Sequence, residues 1–231
     1  MDLKEAALVD PMSHWYYQSK LFALVRAVER FSPEWGSLID VGAGSGFFSR
    51  SIADFKKGQQ VICVDPNYEL EQVKEEGRLR FVKNPPTNGG DVFLFMDVLE
   101  HVVNDVELLA QYTKGAQPGA KVFITVPAFM SMWSTHDEYL EHFRRYRLSE
   151  IVDVASRAGL KIVHKRYLFG LIFPAAWLVR RFMRSNKSES DLASLNKYAN
   201  VVLRLFLKSE HRFWWNPLFG VSAFVVAEVT N

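Results

Sequence analysis

The stretch SLIDVGAGSGFFSR, residues 37–50, decides the fold. SLIDV reads as a buried strand, Gly42-Ala43-Gly44-Ser45-Gly46 as a tight turn, and Phe47 opens a helical pattern. Glycines at a strand-to-helix turn permit positive φ and let a ligand lie against the backbone. Such turns also use glycine for purely steric reasons, so the loop needs a second signal. The next apolar run, VICVDP at 61–66, supplies it. Its end, Asp65-Pro66, puts a carboxylate where it can accept both hydroxyls of an adenosine ribose.

A strand, glycine loop, helix, strand and acid in that order bind an adenosine-type cofactor. A dinucleotide loop requires Gly-x-Gly-x-x-Gly, with the pyrophosphate on the helix N-terminus. Here the third glycine comes one position early and Phe47 and Phe48 follow it. Asp40, just before the loop, would repel a pyrophosphate but suits the ammonium of a methionine moiety. S-adenosylmethionine is the better match.

Outward from the loop, apolar runs at 38–41, 60–64, 79–82, 92–96 and 121–126 read as buried parallel strands. Helical patterns fill the intervals at 47–55, 68–76 and 105–114, the last between Asn104 as N-cap and Gly115 as C-cap. This alternation predicts an α/β fold with a doubly wound sheet and ligands at the carboxyl ends of its strands. An amphipathic helix over 15–31 precedes it. A helix over 149–158 and a strand over 160–168 follow, then an apolar helix over 171–183 and the polar gap SNKSESD. A second helix carries apolar residues at 198, 201, 202, 205 and 206, and 221–229 is the final strand.

The 231 residues, 48% hydrophobic, suit one domain spanning 1–231. A formal charge of +2 argues against nucleic acid as partner. The single cysteine, Cys63, excludes a disulfide framework and points to a reducing compartment. The opening MDLKEAALVDP lacks the basic start and apolar core of a signal peptide. The apolar window 168–179 is too short to cross a bilayer. The expected location is cytoplasmic.

Taken together, the chain resembles a class I S-adenosylmethionine-dependent methyltransferase, of the type 11/12 small-molecule methyltransferase group. The resemblance rests on the glycine loop, Asp65, DVFLFMDVLEHV (91–102), KVFITVPA (121–128) and the final strand. It implies a Rossmann-like, seven-stranded sheet with its last strand antiparallel. It further implies an N-terminal helical lid over 1–34, a cofactor-binding core over 35–165, a two-helix apolar insertion over 169–215 and a last strand within 219–231. Around the cofactor it places Asp40, Gly42, Ala43, Gly44, Asp65 and Pro66, with Asp97 closing over it. HWYYQSK (14–20) is similar to the lid of some members, with Lys20 where an arginine is usual. FVKNPPTNGG, after the strand at 79–82, departs from the Gly-Asp pattern that holds adenine, and Asn84 is the candidate substitute.

The acceptor side is read from MDVLEHV (96–102). If a helical turn follows the strand, Asp97, Glu100 and His101 share a face. A second polar cluster runs from Ser134 to Arg147 and contains His142. Three readings stay open. His101 or His142 is a general base, since imidazole titrates near neutrality. Alternatively, Glu100, His101 and His142 ligate a divalent cation, similar to the Glu-x-x-Glu-His of small-RNA 2′-O-methyltransferases with Asp97 in place of the first Glu. In the third, Glu-His merely caps a helix.

The insertion, with apolar bodies and cationic ends across 168–184 and 198–215, fits peripheral contact with the inner membrane face, cover for the sheet edge, or a homodimer. The expected function is methylation, at oxygen, of a small or lipid-linked hydrophobic acceptor. The alternative is a non-catalytic S-adenosylmethionine-binding or membrane-associated accessory subunit.

Overall fold

The computed structural model describes residues 10–55, 60–69, 73–86, 89–182, 197–210 and 216–230. Among the described residues, helix α1 (Trp15–Phe31) comes first. His14 caps it, its Nδ1 accepting the Tyr16 N–H at 3.3 Å. Its inward stripe includes Tyr17, Leu24 two turns on and Val28 one turn further, all buried. Strands β1 (Ser37–Val41), β2 (Gln60–Val64), β4 (Leu79–Val82), β5 (Val92–Met96) and β6 (Lys121–Pro127) pair in parallel. Between β1 and β2 lies α2 (Phe47–Phe55), and between β5 and β6 lies α3 (Asp105–Thr113). A short α4 (Thr135–Tyr139), α5 (Leu148–Arg157) and β7 (Leu160–Leu168) follow. Then come α6 (Phe173–Phe182), α7 (Lys197–Glu210) and the final strand β8 (Ser222–Val229). β8 inserts antiparallel between β6 and β7.

With β3 at Glu75–Glu76, the sheet order is β3-β4-β2-β1-β5-β6-β8-β7. Seven of these strands are those the sequence predicts. The eighth, β3 (Glu75–Glu76), is a two-residue edge strand antiparallel to β4. It lies where the residue pattern predicts the end of a helix over 68–76. Gly77 at φ +61 turns the chain into a hairpin there, and residues 70–72 are outside the described residues.

Alternation along each central strand feeds two cores. Leu38 and Leu94 pack with Tyr17, Leu24 and Phe48 on one face of the sheet. Ile39, Val41, Phe93 and Phe95 pack with Leu109, Ile151 and Val154 on the other. Every residue of β5 is buried, as a strand covered on both faces must be. Each large apolar side chain so buried contributes about 1.5–3 kcal/mol, which fixes the strand ends that carry the site.

Among the described residues of the segment 169–215, several large apolar side chains stay exposed. In α7, Leu207 is fully buried and Leu203 partly, against the α1 side of the core. Asn200 Oδ1 accepts the Trp15 N–H at 3.2 Å. The stripe read from the sequence faces outward: Tyr198 is 83% exposed, Val202 66% and Leu205 59%, with Val201 and Phe206 beside them. On α6, Leu178 and Val179 are also exposed, and Arg180 Nη1 donates to the Met132 carbonyl at 2.7 Å. Arg184, the SNKSESD gap and His211 to Trp215 lie outside the described residues. Among the described residues, no helix is long and apolar enough to cross a membrane.

Candidate active site

Parallel pairing of β1 with β2 brings Asp40 and Asp65 to the same edge of the sheet. The loop between them needs its glycines. Gly42, Gly44 and Gly46 have φ of +64, +52 and +70, and a Cβ on Gly42 would stand 2.8 Å from Val98 Cγ2. Asp65 pins this loop: Oδ2 accepts the Gly44 N–H and Oδ1 the Asn67 N–H, both at 2.9 Å. Tyr68 adds a hydroxyl donated to the Gly44 carbonyl at 2.8 Å. The buried Ala43 donates its N–H to the Val64 carbonyl at 3.1 Å, and Pro66 opens the turn after Asp65.

These residues fit an adenosine-type ligand. Each Asp65 oxygen accepts one backbone bond and so keeps a lone pair for a ribose hydroxyl. Ser45 Oγ is sealed from solvent without a protein partner, and a buried hydroxyl calls for one. Asp40 is buried and accepts the Ser49 hydroxyl. Burial pushes its carboxyl up to about 6, against the pull of that hydrogen bond. A ligand ammonium beside Asp40 would restore its charge.

Past β5 the backbone turns sharply, with Asp97 at φ +57, a region non-glycine residues rarely occupy. The turn aims Asp97 at α1. Its Oδ2 pairs with Lys20 Nζ, and its Oδ1 accepts Thr125 Oγ1 at 3.1 Å. Lys20 is fully buried and also donates to Tyr16 Oη at 2.6 Å. Burial alone would lower the lysine pKa, but Asp97 and Tyr16 together outweigh it and the pKa is raised. Lys20 stays charged, and it fastens α1 to the mouth of β5.

Beyond Asp97, one turn of 3₁₀ helix (Leu99–His101) holds Glu100 and His101. The stretch after α4 brings His142 to them: the His101 and His142 rings meet edge to face at 4.6 Å. Glu100, His101 and His142 each offer a ligand atom within 4.8 Å of the others. Glu100 is fully buried and neither carboxyl oxygen has a hydrogen-bond partner. Burial first, then the Asp97 charge, raises its pKa well above the usual range.

His142 is held from behind. Its Nδ1 lies 2.9 Å from Asp137 Oδ1, and Arg145 grips Asp137 through Nε at 2.7 Å and Nη2 at 2.9 Å. Burial would raise the Asp137 pKa, yet the bonds from His142 and Arg145 prevail and hold it far below the carboxylate range. With Nδ1 committed to Asp137, Nε2 is the nitrogen left for a proton or an ion.

The sequence grouped Asp97 with Glu100 and His101 on one helical face. The structure brings Glu100 and His101 to His142, the set of the cation reading, and gives Asp97 to Lys20 and Thr125 instead, because the turn is 3₁₀ and begins only at Leu99. Asp137 and Arg145 carried no role in the sequence reading. Ser134-x-x-Asp137 has capping-box spacing, and that box forms, but nothing local announces that Arg145 returns to Asp137. Asn84, the candidate for adenine, is exposed after β4.

A family model described as a methyltransferase domain matches residues 14–165. The ubiquinone biosynthesis O-methyltransferase of Aliivibrio fischeri is 30% identical over 103 residues, 38% of this chain and 42% of that protein. The chain thus matches less than half the length of that relative. Among solved structures, a chain in a complex of the Haloferax volcanii Trm112 methyltransferase activator superposes with a TM-score of 0.60. Its identity is 16%, over 95% of this chain and 90% of that one. Phosphoethanolamine N-methyltransferase 2 of Haemonchus contortus, in complex with S-adenosyl-L-methionine, gives 0.57 at 20% identity over 93% and 58%. The family model spans more than half of the chain and coincides with the glycine loop, the paired acids and the β5 turn, and the chain belongs to the methyltransferase domain family, with the class I fold.

Proposed function

We propose that the protein transfers a methyl group from S-adenosylmethionine to a hydroxyl of a small or lipid-linked hydrophobic acceptor. S-adenosylmethionine supplies a methyl carbon on a cationic sulfur. Asp65 takes its ribose hydroxyls, Asp40 its ammonium, and the glycine backbone its close approach. The observation that carries the acceptor side is the Glu100, His101 and His142 cluster, beside the glycine loop that Val98 touches. His142, oriented by Asp137, and His101 deal with the acceptor's proton there. Reaction at oxygen draws support from the O-methyltransferase relative.

A methyl-transfer screen over phenols and lipid-linked hydroxyls tests this. His101→Ala or His142→Ala should lower turnover by about 10²–10⁴-fold with S-adenosylhomocysteine binding retained. Full turnover in both variants, with any acceptor, sinks the role given to the cluster. Detectable transfer to no acceptor favours an accessory subunit.

Peripheral membrane contact through the insertion has its own support. An outward apolar stripe on α7 lies on the same helix as Arg204 and Lys208, and α6 ends in Arg180 and Arg181. Apolar surface edged by cations suits an anionic headgroup boundary. The protein should float with anionic vesicles, and Val202→Asp with Leu205→Asp should abolish that. A wild type that stays at the bottom of the gradient, or self-associates through the stripe, contradicts the membrane contact.

A further inference from the structure

We propose that Glu100, His101 and His142 form a binding site for one divalent cation of the transition series, which binds and ionises the acceptor hydroxyl. This deepens the acceptor side proposed above and rests on it, changing what the histidines do. They hold the ion that lowers the hydroxyl pKa instead of taking the proton themselves.

Two observations carry it independently. The first is the donor set. Three ligand atoms lie within 4.8 Å of one another, against about 3.4 Å between ligands around an ion at bond lengths near 2.1 Å. Closing that gap takes small side-chain rotations. The second is Glu100. A carboxyl group with 0% exposure and two oxygens lacking any partner is costly to keep unless something binds it. An ion between Glu100 and the imidazoles satisfies it.

The surroundings match what a metal-bound histidine needs. Such an imidazole donates its other N–H to a carboxylate, which fixes the tautomer and strengthens the ligand. Asp137 stands there at 2.9 Å from His142 Nδ1, itself clamped by Arg145. Asp137 is completely buried in its side chain, so the arrangement is rigid. Two nitrogens with one oxygen select Zn²⁺ or Co²⁺ over Mg²⁺ and Ca²⁺, which prefer all-oxygen shells. Three protein ligands leave coordination positions open, as a catalytic ion requires.

The reaction then balances simply. An acceptor oxygen coordinated to the cation loses its proton to solvent, because coordination lowers the pKa of bound O–H. The resulting oxyanion attacks the methyl carbon; the O–C bond forms as the C–S bond breaks, and the electron pair leaves with sulfur. The products are the methyl ether, S-adenosylhomocysteine and one proton. Glu100 helps confine the charge, and the Asp97–Lys20 pair is left to hold α1 over the site.

Co²⁺ is the probe, because its ligand-field absorption reports nitrogen and oxygen ligation without any turnover. The full chain, stripped with chelator, should take up one equivalent of Co²⁺ with visible bands that Zn²⁺ displaces and Mg²⁺ does not. Glu100→Gln, which keeps the shape, and His142→Ala should each weaken Co²⁺ binding at least about tenfold. Asp137→Asn should cost about 10–100-fold. S-adenosylhomocysteine affinity, measured on the same samples, should be unchanged in Glu100→Gln. Absence of one-equivalent Co²⁺ binding, or binding indifferent to Glu100→Gln and His142→Ala, overturns the cation site while cofactor binding leaves the methyltransferase reading standing. Failure of the folded wild type to bind S-adenosylhomocysteine overturns the reading beneath it as well.

Discussion

Replacing Gly42 by alanine should weaken the fold through two separable effects. Gly42 sits at φ +64, which costs an L residue about 1–2 kcal/mol. The new methyl would also stand 2.8 Å from Cγ2 and 3.1 Å from Cγ1 of Val98, in the turn after β5. Overpacking of that kind costs about 1–3 kcal/mol. G42A should therefore lose about 2–5 kcal/mol in all. V98A removes both γ carbons and leaves the nearest remaining atom, Val98 Cβ, at 3.5 Å, an ordinary contact. In the double variant the steric part should return, as a coupling energy of about 1–3 kcal/mol, while the φ cost persists. Urea unfolding of the wild type, both single variants and the double variant gives the cycle directly. A G42A protein as stable as wild type, or a coupling near zero, would show that the loop tolerates a side chain and that β5 does not close on it.

The fastening of α1 to the mouth of β5 is tested by Lys20→Met, which strands Asp97 without its buried partner. Stability should fall by about 2–4 kcal/mol, less than for a fully buried pair because the Asp97 side chain is 27% exposed, and a Lys20→Met protein of unchanged urea midpoint would contradict the account. Asp40 predicts a pH dependence of cofactor binding. Its carboxyl titrates at about 6, so S-adenosylhomocysteine affinity should drop as pH falls from about 7.5 to about 5, when the ligand ammonium loses its counter-charge. Asp40→Asn should flatten that profile; a wild-type profile already flat across the window rules Asp40 out as the ammonium partner. Stability of the free protein moves the opposite way. The folded state binds the Asp40 proton more tightly than the unfolded chain, so this group stabilises below about pH 4 and loses that contribution as pH rises through about 6.

The cofactor half of the site was legible because its ligand is constant. Strand burial, glycine at positive φ and an acid at the next strand end are local features, and β1, α2 and β2 formed within a residue or so of the expected bounds. The acceptor half was legible in the grouping that the cation reading gave it, since Glu100, His101 and His142 come together, and not in the shared helical face of Asp97, Glu100 and His101. Glu100, His101 and His142 were all singled out, yet the face shared by i, i+3 and i+4 presumes an α-helical turn, and Asp97 at φ +57 precludes one. Asp137 and Arg145 meet across the end of α4, where Glu141 also adopts positive φ at +59, and no periodicity encodes such a return. The α7 stripe shows a different limit. Helical spacing reveals that an apolar face exists, but not which surface covers it. The residues that anchor α7 are instead Leu203 and Leu207, one turn apart on the opposite side. Glu75-Glu76 had no strand signal, since pairing there follows from the Gly77 turn and the free edge of β4.

Whether the β1 and β2 ends hold an adenosine cofactor between Asp40 and Asp65 is decided by calorimetric titration with S-adenosylhomocysteine of the wild type and Asp65→Asn. The wild type should show saturable one-site binding and the variant a loss of about 1–3 kcal/mol, the worth of a charge-assisted hydrogen bond to the ribose. A folded wild type that does not bind, or an Asp65→Asn protein that binds equally well, would contradict it.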